Sequence, residues 1–331
     1  MSNRLVCTAL VWILVPYGAL YARQMPAQRI VGDVTRYRVE PGETLFSIGA
    51  RHGVDWTVLA RENGLNSPGA LAIGQTLTID NRHIVPSTPL ESGIVINIPQ
   101  RMLFLFAGGA ALSAYPVGLG RPDWQTPRGL FQIASRDENP TWIVPPEIQE
   151  EMRQSGQPVV RQMAPGSRNP LGAYRLRFND PGYSIHGTNE PSSIYGFPSH
   201  GCIRLHPEDI AGLFPLVALG TEVRIVYEPV LAAKLPDGAV FLEVHHDIYG
   251  IAGNLREYAD RLNRDENLAI DRAALERTVV EVAGVARLVS EVEPPAAAPG
   301  NVEPEASPGV PSIANAQAYL ADPIPRACHL P

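Results

Sequence analysis

From Gly93 to Phe106 the chain is almost wholly apolar, in two runs. Ile94-Val95-Ile96-Asn97-Ile98 is followed, after Pro99-Gln100-Arg101, by Met102-Leu103-Phe104-Leu105-Phe106. Short runs rich in β-branched and aromatic residues, bounded by turn formers, predict strands. Further strands are predicted at Ser113–Gly118, Gly129–Ala134, Tyr183–His186 and Glu222–Tyr227, with turns at Thr126-Pro127-Arg128-Gly129 and Asn169-Pro170-Leu171-Gly172. Helical segments are few: Pro146–Gln154, and one starting near His206. Pro207, Glu208 and Asp209 occupy the first turn of the latter, where a proline loses no needed N–H and acids meet the positive end of the helix. Residues 93–228 therefore predict a β-sandwich or flattened barrel.

The pattern differs on either side. Between 37 and 80, Tyr37-Arg38-Val39 alternates as a strand does, and Pro41-Gly42-Glu43 makes a turn. Thr44 can cap a helix in which Leu45, Ile48 and Gly49 share a face and which Gly53 ends. Asp55 can cap a second helix that stops at Gly64, and Leu77-Thr78-Ile79 closes the unit as a strand. The order is βααβ. Residues 23–36 read as a polar lead, and 81–92, with two prolines and small polar residues, as a linker. Residues 229–290 read as a partly helical extension, with the helical stretch at Leu255–Ser290. The Pro/Ala/Glu-rich segment 291–331 reads as a disordered tail.

The first 22 residues change the picture of where the protein works. Arg4 precedes an uncharged apolar run from Leu5 to Val15, then Pro16, Gly18 and Ala22 before Arg23. That is the layout of a secretory signal, with an uncleaved inner-membrane anchor as the alternative, and either takes the rest of the chain to the periplasm. Twenty-seven basic and 34 acidic residues give a formal net charge of -7 without a basic block, which argues against nucleic acid as a partner. The three cysteines, Cys7, Cys202 and Cys328, are too few for a disulfide scaffold, and Cys202 is expected to be a free thiol.

Two short runs carry the candidate chemistry: Ile185-His186-Gly187-Thr188 and Ser199-His200-Gly201-Cys202-Ile203-Arg204. A cysteine nucleophile needs a base or a helix N-terminus nearby. His200 lies two residues from Cys202 on the same run, whereas a proton acceptor should approach the sulfur from another segment, which favours His186. Gly201 removes a side chain beside the nucleophile, so that backbone N–H groups can face a developing oxyanion. Other readings are an inert buried thiol, or a zinc site built from His186, His200, His206 and Cys202. The second lacks a usual ligand spacing, and no metal or cofactor is expected. Arg204 either grips a substrate carboxylate or pairs with a local acid. Trp124 and Trp142 read as packing residues, and His245 and His246 as surface residues.

The two runs resemble the signature of the YkuD-type L,D-transpeptidases. GIVINIPQRMLFLF (93–106), TPRG (126–129), NPLGAY (169–174) and PGYSIHGTN (181–189) are similar to the Gram-negative subgroup that carries a LysM domain. YRVEPGETLFSIGARHGV (37–54) with LAIGQTLTI (71–79) resembles a LysM domain over nearly all of 37–80. The resemblance implies a mainly β fold: a YkuD-type β-sandwich catalytic domain at 93–228 behind a small LysM domain. It implies Cys202 as nucleophile, His186 as proton acceptor, and the Gly187 carbonyl as orienter of the imidazole. His200, Gly201 and Ser199 would be supporting residues and Arg204 a substrate-binding one. The implied partners are peptidoglycan glycan and stem peptides. The implied reaction joins the third stem residue to an amine, that of an outer-membrane lipoprotein or barrel protein, or else of another stem in a 3→3 cross-link.

Overall fold

The structure is a computed structural model and describes residues 29–66, 71–88, 90–268 and 270–290. The signal segment, Cys7, Cys328 and the tail lie outside the described residues.

The N-terminal unit opens with β1 (Ile30–Val31) and β2 (Val34–Arg38), followed by α1 (Leu45–His52), α2 (Trp56–Glu62) and β3 (Thr76–Asp80). Thr44 and Ser47 form a reciprocal capping box on α1, and Gly53 ends the helix in the left-handed conformation. Asp55 caps α2 through the Thr57 amide. β2 and β3 are antiparallel, with Tyr37 opposite Leu77. The strand begins at Val34, inside the segment read as a polar lead. Its residues are mostly exposed, so no alternation of burial marked it.

The segment 81–92 departs from the linker reading. β4 (His83–Ile84) pairs with β1, and His83, Ile84, Val85 and Leu90 are all buried. Its polar composition conceals this because the polar atoms find buried partners, as described below.

The central domain holds an eight-stranded mixed sheet in the order β13-β12-β11-β8-β14-β5-β6-β7. In chain order these are β5 (Ser92–Asn97), β6 (Met102–Ala107), β7 (Ala110–Pro116), β8 (Gly129–Glu138), β11 (Tyr174–Phe178), β12 (Ser184–His186), β13 (Ile203–Arg204) and β14 (Glu222–Val226). A short hairpin of β9 (Trp142–Ile143) and β10 (Gln162–Met163) carries α3 (Pro146–Gln154), and α4 (Pro207–Leu213) follows β13. Side chains from both edges of the sheet, Tyr115 on β7 and Ile203 on β13, share one core with Ile94, Ile96, Leu176 and Ile185. The sheet therefore curls over on itself. A bridge between Gly118, just beyond β7, and Arg204 on β13 stitches its two edges together. The mainly β class expected from the sequence is the observed one, and closure leaves few strand edges exposed.

Residues 230–290 form β15 (Val230–Lys234), β16 (Val240–Val244), α5 (Leu255–Asp265), α6 (Arg272–Glu281) and β17 (Arg287–Leu288). The helical stretch is two separate helices, laid on a three-stranded antiparallel sheet. Asn254 and Asp271 cap the helices. This module does not hang free, since Ala283 and Val285 enter the core of the N-terminal unit.

Candidate active site

Alternation on three adjacent strands builds the site. Leu176, Ile185 and Ile203 lie side by side across β11, β12 and β13 and point into the core. Their neighbours must face the other way. That outer face carries Arg175, His186 and Arg204 in one row, and Arg177 and Ser184 in the next. Cys202, immediately before Ile203, falls beside Ser184, whose hydroxyl lies 3.7 Å from the sulfur. The thiol also points towards the Gly182 carbonyl, at 3.8 Å, and keeps a partly exposed surface. His186 is thus a diagonal neighbour of Cys202 on the same face, reached from another strand.

The imidazole of His186 is buried, and its Nδ1–H donates to the Gly187 carbonyl at 2.7 Å. A carbonyl only accepts, so Nδ1 must carry the hydrogen and the lone pair is on Nε2. Burial pulls His186 down to about 4, helped by the Arg204 and Arg175 charges and opposed by the Gly187 carbonyl. Burial pushes the Cys202 thiol up, opposed by the bond from Ser184 and by the Arg204 and Arg175 charges. At neutral pH the resting pair is an uncharged thiol and an uncharged imidazole.

The loop bearing the thiol is tightly specified. Ser199 Oγ accepts from the Gly201 amide at 3.1 Å and donates to the Cys202 carbonyl at 2.6 Å. Gly201 has φ +101°, and a Cβ there would lie 2.7 Å from the Tyr183 ring and 3.2 Å from the Gln125 carbonyl. Only glycine fits. The helix α4 that the sequence places just after the thiol begins at Pro207, beyond β13.

His200 points away from the thiol. Its Nε2 meets Glu151 of α3 at 2.5 Å, and the edge of its ring meets Trp124 with centroids 4.7 Å apart. Glu151 also takes Arg121 Nη1 at 3.1 Å. The hydrogen bond from His200 pulls the Glu151 carboxyl down, and Arg121 adds to this. Between α3 and the 121–124 loop lies a groove of about 550 Å³. Arg204 Nη1 reaches Ser193 Oγ at 3.4 Å, while its buried Nε has no protein partner. Its guanidinium stands beside the site without a carboxylate in salt-bridge contact among the described residues. His206 turns the other way and meets the Ala50 carbonyl of α1 at 3.2 Å. Among the described residues, no three His, Cys, Asp or Glu side chains gather as a metal site.

Sequence reasoning missed Ser184, Glu151 and Tyr183. Ser184 was legible in principle, because it lies two residues before His186 on a predicted strand and must share its face. Glu151 is 49 residues from His200 in a helix with no buried residue, and nothing local marks it.

Residues 91–225 match the family model described as the YkuD L,D-transpeptidase catalytic domain, and 37–80 match the LysM domain. With the relatives that follow, these matches show the family, and the chain belongs to the YkuD-type L,D-transpeptidases. It is 32% identical over 243 residues to the probable L,D-transpeptidase YcfS of Escherichia coli (strain K12), covering 72% of this chain and 73% of that one. It is 31% identical over 246 residues to the probable L,D-transpeptidase ErfK/SrfK of the same strain, covering 72% and 75%. With the putative L,D-transpeptidase YkuD of Bacillus licheniformis it shares 34% over 190 residues, 57% of this chain and 97% of that one. Its activity is that of an L,D-transpeptidase, and its two matched domains imply peptidoglycan binding.

Proposed function

We propose that Cys202 is the nucleophile and His186 the proton carrier of a two-step acyl transfer on peptidoglycan stems. In the first step the Sγ–carbonyl bond forms at the third stem residue and the bond to D-alanine breaks. The thiol proton passes through His186 Nε2 to the leaving amine. In the second step an acceptor amine attacks the thioester, the carbon–sulfur bond breaks, and its proton returns through His186 to the sulfur. The observation that carries this reading is the 2.7 Å bond from His186 Nδ1–H to Gly187, which leaves Nε2 as the acceptor on the face that Cys202 shares. Gly201 and Ser199 shape the nucleophile loop, His200 ties it to Glu151 of α3, and Arg204 is available for a stem carboxylate.

Incubation with a carbapenem followed by intact-mass measurement tests it. A covalent adduct is expected on the folded protein and not on Cys202→Ala. A folded protein that takes no adduct would leave the chain as a LysM wall-binding protein without this chemistry.

For the acceptor we favour the amine of an outer-membrane protein, on the strength of the subgroup resemblance over 93–189. Walls from a deletion strain, digested and analysed by mass spectrometry, should lose a wall-linked protein. Loss of 3→3 cross-links instead would assign the acceptor to a second stem. The reading places the protein in the periplasm, exported by residues 1–22. No helix among the described residues is long and apolar enough to cross a membrane.

A further inference from the structure

The matched catalytic domain ends at 225, yet a side chain from the module behind it reaches the 120–126 loop, which lies against the nucleophile segment. Tyr249 lies in the loop between β16 and α5, and its ring belongs to the core of the catalytic domain. We infer that Tyr249 is a positioning residue for Cys202, an inference that rests on the acyl-enzyme reading above.

Its hydroxyl is used in both senses. It donates to the Gly120 carbonyl at 2.7 Å and accepts from the Thr126 amide at 3.1 Å, so one oxygen closes the 120–126 loop. Thr126 Oγ1 adds a third tie by accepting from the Gly120 amide at 2.9 Å. Tyr249 is itself fixed from behind. Its amide donates to the Tyr227 hydroxyl at 2.9 Å, and that hydroxyl donates to Asp247 at 2.6 Å. Asp247 also takes the amides of Ile251 and Ala252 at 3.0 and 2.9 Å.

The loop that Tyr249 closes is the wall against which the nucleophile segment lies. The Ser199 amide donates to the Leu119 carbonyl at 2.9 Å and the Arg121 amide to the Ser199 carbonyl at 3.0 Å, on either side of Gly120. There is no slack between the two. A Cβ on Gly120 would stand 2.9 Å from Gly201 Cα. Any shift of the 120–126 loop is therefore passed to Gly201 and on to the sulfur. Removing the hydroxyl leaves a carbonyl and an amide unpaired in a buried place, and the loop must move to satisfy them.

The test is Tyr249→Phe in the full chain, with three readings: melting temperature, carbapenem acylation as a function of concentration, and alkylation of Cys202 by iodoacetamide. Acylation needs the thiol aligned with a bound carbonyl, whereas alkylation needs only a reachable sulfur. The maximal acylation rate should fall about 10- to 100-fold, the size of effect expected from displacement of a reacting group by about 1 Å. The half-saturating concentration and the alkylation rate should stay within about twofold of wild type. An unchanged maximal acylation rate in the folded variant overturns the inference, and so does an equal fall in both reactions. Should Tyr249→Phe not fold, Asp247→Asn loosens the loop that carries Tyr249 while keeping the hydroxyl. The same selective fall is expected there, and wild-type acylation would overturn the inference. A wild-type protein that forms no adduct at Cys202 overturns both readings, whereas an adduct formed at equal rates in both proteins overturns this one alone.

Discussion

Burial acts in opposite directions on the two groups at the centre of the site, raising the Cys202 thiol and lowering His186 to about 4. A pre-formed thiolate–imidazolium pair would need the reverse. The alkylation rate of Cys202 should therefore climb through neutral pH with a midpoint above the ordinary thiol value near 8.5, with no plateau at pH 5–6. A stopped-flow or mass-based pH series with iodoacetamide checks this. The same shift bears on stability. The folded-state value of His186 lies below its ordinary 6.5, so the unfolded chain takes the proton first on acidification. Its contribution is complete above about pH 6.5 and is lost as pH falls towards 4, a span worth roughly 3 kcal/mol. Urea midpoints at pH 7.5 and 4.5 should differ less for His186→Gln than for wild type. At Gly201 the left-handed backbone and the Tyr183 ring both oppose a side chain. Gly201→Ala should cost about 1–3 kcal/mol in backbone strain alone and slow carbapenem acylation in step.

Among the elements, those that bury a continuous apolar face were legible in the sequence: β5, β6 and β14, and the capped helices α1 and α2. What escaped was structure made from polar residues paired at long range. His83 on β4 and His245 after β16 read as linker and surface residues, yet both are buried against Glu243. No short window of sequence contains both His83 and Glu243, which lie 160 residues apart, whereas His245 stands two residues from Glu243 and nothing local marked that pair as buried. The site divides in the same way. The Cys202 and His186 runs stood out because residue type and spacing are local, whereas α3 gave no sign that Glu151 would reach His200. Glu151→Ala tests that link. The pair is partly exposed, so the melting temperature should change by no more than about 1 kcal/mol allows. The acylation rate should fall about 3- to 10-fold, as His200 and the loop beside it lose their hold on α3. An unchanged rate would make α3 a bystander.

Across the whole molecule, one buried carboxylate joins all four regions. Glu243 takes His83 Nδ1 and His245 Nε2 at 2.8 Å, the Gln100 side-chain amide at 2.9 Å and the Ile84 amide at 2.5 Å. His83 continues to the Gly53 carbonyl at 2.9 Å. Burial works to raise Glu243, but His83 and His245 outweigh it and hold the carboxyl at about 2. Its contribution is therefore present above the ordinary carboxylate range and lost only as pH falls through about 2. Glu243→Ala strands two buried imidazoles and should cost about 3–5 kcal/mol, read by calorimetry as a lower transition temperature.

The contact between His206 and Ala50 puts the LysM unit only one short strand away from the thiol. A glycan strand gripped by the LysM unit would then meet the sulfur at a set distance and bearing, as a workpiece meets the tool in a jig. Stems that project at the right interval along that strand would come within range, and those on either side would be passed over. A loose tether would sweep a volume, whereas this arrangement would select an address.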